Sequence, residues 1–251
     1  MSDEDRERWF VRHMRRPDAS VQLFCLPYAG AGASAFRAWP AAFGPQVEVI
    51  AVQLPARENR LREPHALDPA RIADAISAAA NRPFAIFGHS LGGRLGFEVI
   101  RAMRRAGRAL PQRFYPSGSR APDQVAEGPL YGLSRLPDDK LLERLAAAGG
   151  FPAAVLQVPE LLELVLPVLR ADLCWVDDYR YVSEPPFDLP IIAFAGEYDE
   201  GAPPDHVAGW LRQTTASASM RTFKGGHFFL QERFTELISL IEADLLGVRA
   251  P

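Results

Sequence analysis

The stretch Gly88-His89-Ser90-Leu91-Gly92 directly follows the apolar run Phe84-Ala85-Ile86-Phe87. A short, continuous apolar run of this kind is typical of a strand that is buried on both faces of a parallel sheet. Downstream, apolar side chains recur at helical spacing from Leu91 to Met103, and Gly107 follows as a helix terminator. The sequence therefore predicts a sharp strand-to-helix turn with Ser90 at its tip, flanked by glycines because a tight turn leaves little room for side chains.

A serine in the pattern Gly-x-Ser-x-Gly at such a turn is typical of a nucleophile elbow, in which the hydroxyl is held clear of the backbone. The predicted position of Ser90 at a helix N-terminus agrees with this function, because unpaired amides and the helix dipole favour the negative charge of a developing oxyanion. A tight turn in an inert α/β protein is the competing interpretation. Whether the chain also supplies a base and an acid for this serine decides between the two interpretations.

Length and composition limit the class of protein. A chain of 251 residues, 48% of them hydrophobic, can bury a substantial core and suits one α/β domain with room for an inserted subdomain. Cys25 and Cys174 make no disulfide framework. The first 20 residues are charged and contain no apolar stretch of signal-peptide type, and nowhere do 18 uncharged apolar residues run together. These features predict a soluble, cytoplasmic protein without a membrane partner. The net charge of -3, with mixed signs, argues against nucleic acid as the main partner.

Strand-like and helix-like segments alternate along most of the chain, as a mostly parallel α/β sheet flanked by helices requires. Together with the elbow, this alternation predicts the α/β-hydrolase fold. The predicted strands are Val21–Leu26, Val47–Leu54, the run before the elbow, Arg113–Ser119, Ile191–Ala195 and Met220–Phe223, with an edge strand at Trp9–Val11. The predicted helices are Pro69–Ala80 after an Asp68 cap, the helix after the elbow, Pro203–Gln213 and Glu232–Leu246.

Residues 122–186 interrupt this alternation, because their apolar residues follow a helical pattern and predict no strand. An insert of this kind between two strands is expected to be a lid that lines a pocket for an apolar chain. A helical subdomain packed for stability is the plainer interpretation and is compatible with the first. Residues 1–121 and 187–251 are then the hydrolase core, and Pro167 is expected to kink or split the longest apolar stretch of the insert. The helices predicted in the insert are Pro137–Ala148, Pro159–Leu169 and Arg170–Tyr179.

A serine nucleophile needs a base, and in this fold the acid and then the histidine follow the serine in the chain. Of the five histidines, His13 and His65 precede the serine, and the side chain of His89 is expected to point away from its neighbour across the turn. His206 opens a predicted helix, where it caps the helix or faces solvent. His227 follows the final strand and a pair of glycines that permit a loop over the sheet edge. Its place in the chain favours a catalytic base over a buried core histidine.

The carboxylate that orients this histidine is expected at the end of the preceding strand. Asp199 follows that strand and a short turn, at the sheet edge where the elbow lies. Asp205 is the plainer competitor, since aspartate is favoured in a first helical turn. Asp188 lies at the opposite end of the strand, and Glu197 and Glu200 would substitute only with a shifted loop. The sequence therefore predicts a Ser-His-Asp triad.

An oxyanion hole needs two backbone amides aimed at the charge that develops on the substrate. One is expected from Leu91, the residue after the nucleophile, and the other from the loop 27–33, where small residues expose their amides. The run Gly30-Ala31-Gly32 in this loop is not a dinucleotide fingerprint, because position 35 is alanine and no acid follows at the required distance. The sequence predicts neither a cofactor nor a metal.

Five motifs share one resemblance. They are Leu26-Pro27-Tyr28-Ala29-Gly30, the run from Ala51 to Arg60, the elbow, Leu169-Arg170-Ala171-Asp172 and Gly225-Gly226-His227-Phe228-Phe229-Leu230. Together they resemble the type II thioesterases of nonribosomal peptide and polyketide biosynthesis. The resemblance covers nearly the whole chain, and its Gln-x-Pro-x-Arg-Glu-x-Arg and Gly-Gly-His-Phe-Phe runs are specific to these stand-alone enzymes among serine hydrolases.

The resemblance implies hydrolysis of acyl groups that carrier proteins hold as thioesters on a phosphopantetheine arm. Such enzymes clear misprimed or stalled carriers, and some release intermediates or product. The resemblance implies Ser90 as nucleophile, His227 as general base and Asp199 as the acid that orients it, with the amides of Leu91 and Ala29 in the oxyanion hole. Carrier proteins are typically acidic, and all but two of the 28 basic residues here are arginines, which suit acidic helices and phosphate.

Two positions near the nucleophile depart from the family pattern. Tyr28 stands in a loop where many members read Pro-His-Ala-Gly-Gly, and the elbow continues through Arg94 where many members have Met-Gly-Ala after the serine. Neither change removes a catalytic group. Arg94 is expected to alter the pocket floor or the contacts of the helix, and with them the substrate preference.

Other functions compete with the thioesterase on the same scaffold. A small-molecule carboxylesterase or lipase would turn over oxygen esters without pantetheine or a carrier. A catalytically silent hydrolase-fold binding protein would leave Ser90 unmodified by an organophosphonate, because its triad is not assembled. An acyltransferase that passes the acyl group to an alcohol or amine is a minor third alternative.

Overall fold

A single twisted sheet runs through the computed structural model, which describes residues 8–124, 128–149 and 158–248. Its strands are β1 (Phe10–Val11), β2 (Val21–Leu26), β3 (Val47–Val52), β4 (Phe84–His89), β5 (Arg113–Ser117), β6 (Ile191–Gly196) and β7 (Ala218–Phe223). Their spatial order is β1-β3-β2-β4-β5-β6-β7, with β1 antiparallel to β3 and the other neighbours parallel. The mostly parallel sheet and its edge strand are therefore confirmed.

The pairing of β4 explains where the elbow lies. Leu26 of β2 and Pro116 of β5 both pair with Gly88, so that the turn at Ser90 leaves the middle of the sheet at its carboxyl edge. Strand β2 is buried along its whole length, and its side chains alternate between two apolar layers: Phe24 packs on one face and Leu23 on the other. A strand with both faces covered needs apolar residues at successive positions, which accounts for the continuous runs in the sequence.

Helices cover both faces of this sheet. The longer ones in the described part of the chain are α1 (Pro69–Ala79), α2 (Leu91–Arg105), α3 (Asp138–Ala147), α4 (Pro159–Asp177) and α5 (Phe234–Leu245). Helix α1 begins where predicted, because the Asp68 carboxylate accepts hydrogen bonds from the amides of Ala70 and Arg71. Helices α1 and α2 pack on one face of the sheet, and α5 packs on the other with the short helix Trp39–Ala42.

One predicted helix is interrupted. The helix predicted over Pro203–Gln213 is one α-helical turn, Pro204–Val207, followed by the 3-10 segment Ala208–Arg212. The buried Trp210 in this segment donates its indole N–H to a backbone carbonyl at 2.6 Å, a long-range contact that local periodicity does not encode. The closing helix predicted over Glu232–Leu246 is present as α5, and a separate helical turn, Phe229–Glu232, precedes it.

The described residues between β5 and β6 carry helices α3 and α4 and no strand, as predicted for the insert. Helix α4 runs unbroken through Pro167, so the division into two helices at Leu169 was wrong. A proline removes one backbone hydrogen bond, and the turns on either side of it retain theirs. Packing supports the long helix, since Leu169 and Leu173 of α4 join Leu141 and Leu145 of α3 in a small separate core.

Among the helices that the structure describes, none is both long and apolar enough to cross a bilayer.

The chain that leads from α4 back to the sheet is tied to α2 by Glu184. Its carboxylate lies 2.6 Å from Arg101 Nη2 and 2.7 Å from Arg104 Nη2, and it accepts a third hydrogen bond from Arg105. The hydrogen bond from Arg101, aided by those from the other two arginines and opposed by burial, lowers the pKa of Glu184 from 4.5 to about 2. Between about pH 2 and pH 4.5, Glu184 is therefore ionised in the folded protein but protonated in the unfolded chain.

We expect Glu184→Gln to lower the melting temperature most at neutral pH. The folded-state pKa is depressed, so the contribution of Glu184 is complete above about pH 4.5 and is lost as the pH falls towards about 2. The difference in melting temperature between wild type and variant should therefore shrink over this interval. Thermal unfolding followed by circular dichroism from pH 7 to pH 2.5 measures it, with the exposed Glu236→Gln as control. A difference that is constant with pH would contradict the assignment.

Candidate active site

The turn between β4 and α2 holds Ser90 in a strained conformation. Its backbone has φ +54° and ψ -115°, a region that non-glycine residues rarely occupy. The Ser90 amide donates to the carbonyl of Ser117 at 2.8 Å, which fixes the turn against β5. A Cβ atom on Gly88 would lie 2.1 Å from the carbonyl oxygen of Gly92, and one on Gly92 would lie 2.3 Å from that of Leu26. Both glycines of the motif are therefore required by close backbone contacts.

The structure brings the three predicted triad residues together. His227 Nε2 lies 3.0 Å from Ser90 Oγ, and His227 Nδ1 lies 2.8 Å from Asp199 Oδ2. Because an ionised carboxylate only accepts hydrogen bonds, Nδ1 carries the imidazole proton and Nε2 is left to accept the serine hydroxyl proton. His227 and Asp199 are both buried, which excludes competing water from these two hydrogen bonds. The arrangement is that of a nucleophile, a base and an orienting acid.

The loops that carry the acid and the histidine support each other. The amide of Tyr198 donates to the carbonyl of Gly225 at 3.0 Å, so the turn after β6 is bonded to the loop before His227. A Cβ atom on Gly196 would lie 2.4 Å from the carbonyl oxygen of Gly226, and this close approach requires a glycine at the end of β6. The positions of Asp199 and His227 are thus coupled through the backbone.

Asp199 is held as a carboxylate. Burial alone would raise its pKa, but the hydrogen bond and charge of His227, together with the amide of Ala202, lower the pKa of Asp199 below its ordinary value. Its second oxygen accepts the amides of Gly201 and Ala202 at 2.8 and 2.9 Å. An anionic Asp199 can therefore stabilise the imidazolium that forms when His227 takes a proton.

The histidine next to the nucleophile has no part in the triad. His89 Nδ1 lies 3.0 Å from Ser117 Oγ, on the far side of the turn, as the sequence predicts. Complete burial and the neighbouring His227 lower the pKa of His89 to about 3, so the ring is neutral at physiological pH. Its ring packs between His227 and the aromatic side chains of Phe228 and Phe229. His89 therefore supports the catalytic imidazole by packing.

Leu91 and Ala29 line the same cavity as Ser90. Within the described residues, neither amide donates to a protein acceptor. Leu91 opens α2, where the helix dipole adds positive potential, and Ala29 lies in the loop after β2. Two unpaired amides beside a nucleophile can stabilise an oxyanion, which is the role that the sequence assigns to them.

A buried charge network that was not predicted from the sequence lies behind the Ala29 loop. Asp172 of α4 accepts the amide of Gly30 at 2.8 Å and pairs with both terminal nitrogens of Arg57, at 2.7 and 2.9 Å. His65 Nε2 lies 2.7 Å from the same carboxylate. Burial would raise the pKa of Asp172, but the hydrogen bonds from His65, Arg57 and Gly30 lower it. The sequence held one indication of this network, since Arg57 and Asp172 both lie in motifs that carry the resemblance.

We propose that Asp172 positions the loop that carries the Ala29 amide, and we expect Asp172→Asn to lower kcat by about 10- to 100-fold with little change in KM. The side-chain amide of asparagine cannot accept all of these hydrogen bonds. The backbone amide of Ala29, next to Gly30, would then shift away from the oxyanion, which exists only in the transition state. Steady-state kinetics on an acyl-pantetheine thioester separates kcat from KM. Asp178→Asn, at the exposed end of the same helix, is the control. A rise in KM at constant kcat would overturn this assignment.

An apolar cavity opens above Ser90, with a volume of about 100 Å³. Helices α3 and α4 contribute Leu145, Leu169 and Leu173 to its wall. Ser90 and His227 lie at its surface, so a substrate inside it meets the triad directly. In the part of the chain described, no group of three or more histidine, cysteine or acidic side chains is arranged to hold a metal ion.

Comparison with known proteins agrees with this geometry. Residues 21–245 match the family model described as "Thioesterase domain". The gramicidin S biosynthesis protein GrsT of Aneurinibacillus migulanus is 38% identical over 248 residues, which cover 97% of this chain and 96% of GrsT. Thioesterase PikA5 of Streptomyces venezuelae is 34% identical over 247 residues, which cover 96% of this chain and 86% of PikA5.

Solved structures show the same relationship. BorB, the type II thioesterase from the borrelidin biosynthetic cluster, superposes with a TM-score of 0.82 at 32% identity, covering 93% of this chain and 96% of BorB. RedJ, a thioesterase from the prodiginine biosynthetic pathway of Streptomyces coelicolor, gives a TM-score of 0.81 at 35% identity, covering 89% of this chain and 91% of RedJ. These matches confirm the α/β-hydrolase fold and the resemblance stated from the motifs. The chain belongs to the thioesterase family and is a thioester hydrolase.

Proposed function

We propose that the chain is a stand-alone type II thioesterase that hydrolyses acyl groups from the phosphopantetheine arm of carrier proteins in nonribosomal peptide or polyketide biosynthesis. It would remove aberrant or stalled acyl groups or release intermediates. One observation carries the proposal: Ser90, His227 and Asp199 are linked by hydrogen bonds beside an apolar cavity. Relatives over nearly the full length of the chain, among them BorB, are named as type II thioesterases.

The proposed reaction follows from the hydrogen bonds of the triad. Ser90 Oγ attacks the thioester carbonyl while His227 Nε2 takes its proton, and Asp199 stabilises the imidazolium. The amides of Leu91 and Ala29 stabilise the oxyanion. When the C–S bond breaks, His227 protonates the departing thiolate and an acyl-enzyme remains on Ser90. Water, deprotonated by His227, then attacks this ester and releases the carboxylic acid and the free serine.

A groove next to the cavity supports entry of the pantetheine arm. It shares Tyr28 and Ala29 with the cavity, and its outer wall includes Leu61, Leu161 and Leu164. These three leucines are exposed, so an apolar surface is open to an incoming ligand. We propose that the arm lies along this groove and delivers its thioester to Ser90.

We also propose that residues 122–186 act as a lid inserted between core segments 1–121 and 187–251. Helix α4 lies between the groove and the cavity and contributes side chains to both. The hydrogen bond that Asp172 of α4 accepts from the Gly30 amide ties the insert to the loop that carries the oxyanion amide. Movement of α4 would therefore change access to the cavity and the position of Ala29 together.

The cytoplasmic location stays a prediction, as does the exclusion of nucleic acid and membranes as partners. Cys25 and Cys174 are free thiols, in agreement with a reducing compartment.

The proposed function is tested by offering the purified protein three forms of one acyl group: loaded on a carrier protein, as a pantetheine thioester, and as a matched oxygen ester. We expect kcat/KM to be highest for the carrier, because the carrier surface adds binding energy, and lowest for the oxygen ester. Hydrolysis is followed by mass spectrometry of the intact carrier and by release of the free acid. Faster turnover of the oxygen ester than of the carrier would indicate an esterase instead. Failure to hydrolyse any of the three would favour a silent binding protein.

A further inference from the structure

The wall of the apolar cavity above Ser90 contains a buried cation that has no acidic partner among the described residues. Arg94 lines the cavity with Ser90, and its side chain is 7% exposed. Its Nε atom is buried without a hydrogen-bond partner, and its guanidinium forms no hydrogen bond or ion pair with any residue that the structure describes. The guanidinium instead lies over the ring of Tyr179, whose centroid is 4.9 Å from Arg94 Cζ. The five N–H donors of a guanidinium lie in its own plane, and an aromatic ring above that plane accepts a hydrogen bond from none of them.

The acidic side chain one turn further along α2 is already engaged elsewhere. Glu98 accepts the Tyr179 hydroxyl at 2.7 Å and pairs with Arg101 at 2.9 Å and with Arg105 at 3.6 Å. Of the described residues that line the cavity, none is aspartate or glutamate. Arg120 is a second buried arginine in the same wall, and its Nε donates to the carbonyl of Gly201 at 2.7 Å. Among the described residues, no carboxylate that lines the cavity therefore neutralises Arg94.

This arrangement is unfavourable in the absence of a ligand. A buried cation needs a counter-charge or several hydrogen bonds to replace the water it has lost. Burial, reinforced by the positive charge of Arg120, lowers the pKa of Arg94, although a guanidinium remains protonated at physiological pH. An anion in the cavity would supply the missing acceptor, and a carboxylate matches the planar fork of a guanidinium.

The place of Arg94 on α2 defines which part of a substrate would reach it. Arg94 is one helical turn after Ser90, and side chains on a helix lean towards its N-terminus, which here is the elbow. Because Arg94 and Ser90 line the same cavity, a group bound by Arg94 would belong to the acyl part of the thioester that Ser90 attacks. The cavity volume of about 100 Å³ also limits the size of the acyl group. Ligand pockets usually exceed roughly 300 Å³, so this cavity suits a short group.

We propose that Arg94 binds a carboxylate at the far end of a short acyl group, so that the preferred substrates are thioesters of dicarboxylic acids. This inference rests on the proposed thioesterase function and specifies its substrate class. The phosphate of the pantetheine arm is another anion in the substrate, but the whole arm separates it from the thioester sulfur. Arg94 lies inside the cavity beside Ser90, on the acyl side, which favours the acyl carboxylate.

The test uses phosphopantetheine thioesters, which keep the phosphate of the arm, in pairs of equal carbon number: malonyl with propionyl, succinyl with butyryl, and glutaryl with valeryl. For at least one pair, the wild type should show a kcat/KM roughly 10- to 100-fold higher for the dicarboxylic member, the gain expected from hydrogen bonds to a buried charge. Arg94→Met should reverse this preference, lowering turnover of the dicarboxylic thioester and raising that of the neutral one. Methionine suits a buried apolar site, so the variant is expected to fold.

A binding measurement on the inactive Ser90→Ala protein separates recognition from chemistry. Its affinity for the dicarboxylic thioester should exceed that for the neutral partner, and Ser90→Ala with Arg94→Met should lose this difference. Equal loss of turnover for both members of a pair in Arg94→Met would contradict the proposal and would point to the pantetheine phosphate or to a structural role. A wild-type preference for the neutral member in all three pairs would also overturn it. Absence of all thioester hydrolysis would instead refute the underlying function.

Discussion

Ser90→Ala is expected to lower kcat for thioester hydrolysis by about 10⁴-fold or more, with KM little changed. Ser90 Oγ is the atom placed 3.0 Å from His227 Nε2, and alanine leaves the base without a nucleophile to activate. His227→Ala should be as damaging, because the serine then keeps its proton. The two residues act as one unit, so the double variant should be no slower than either single variant.

Initial rates on an acyl-pantetheine thioester, with release of the free thiol as the signal, measure this effect. Ser217→Ala is the matched control, since Ser217 is exposed and does not line the cavity. It should retain wild-type kinetics. Substantial activity in Ser90→Ala, or a double variant much slower than both single variants, would mean that the three residues do not form one catalytic unit.

Asp199→Asn is expected to lower kcat by about 10³- to 10⁴-fold without disturbing the fold. An asparagine amide facing His227 Nδ1 would donate its hydrogen and favour the tautomer with the proton on Nε2. That tautomer cannot accept the Ser90 proton. The remaining oxygen can still accept the amides of Gly201 and Ala202, so the loop should keep its shape.

Asp205→Asn is the control for this variant, because Asp205 is an exposed acid in the same connection and competes for the role on sequence grounds alone. Labelling of Ser90 by an organophosphonate provides a second readout that does not depend on the thioester. Labelling should slow strongly in Asp199→Asn and stay at the wild-type rate in Asp205→Asn. The opposite pattern would transfer the orienting role to Asp205.

The fold and the triad were largely predictable because both depend on local signals combined with chain order. A strand buried on both faces needs a continuous apolar run, and β2 and β4 have such runs. The elbow identifies its own serine, and the order of acid and histidine in this fold, together with their places after the strands, favours Asp199 and His227 over their competitors. These features require no knowledge of which distant segments touch.

The features that escaped prediction depend on such distant contacts. Asp172 reaches Gly30 and Arg57 across more than a hundred residues of sequence, and no periodicity reports that they meet. The continuity of α4 through Pro167 comes from packing of the insert, which outweighs the local effect of the proline. Arg94 is a departure from the family pattern, but only the structure shows that it is buried and has no acidic partner in the described part of the chain.

In the proposed mechanism, Ser90 accepts an acyl group directly from a carrier-bound thioester. This transfer is tested by mixing the wild-type protein with an equal amount of acyl-loaded carrier, quenching in acid at short times and measuring the intact masses. We predict that the enzyme transiently gains the mass of the acyl group while the carrier loses it, and that digestion places the added mass on the peptide containing Ser90. Loss of the acyl group from the carrier without any addition to the enzyme, or addition at another residue, would contradict the mechanism.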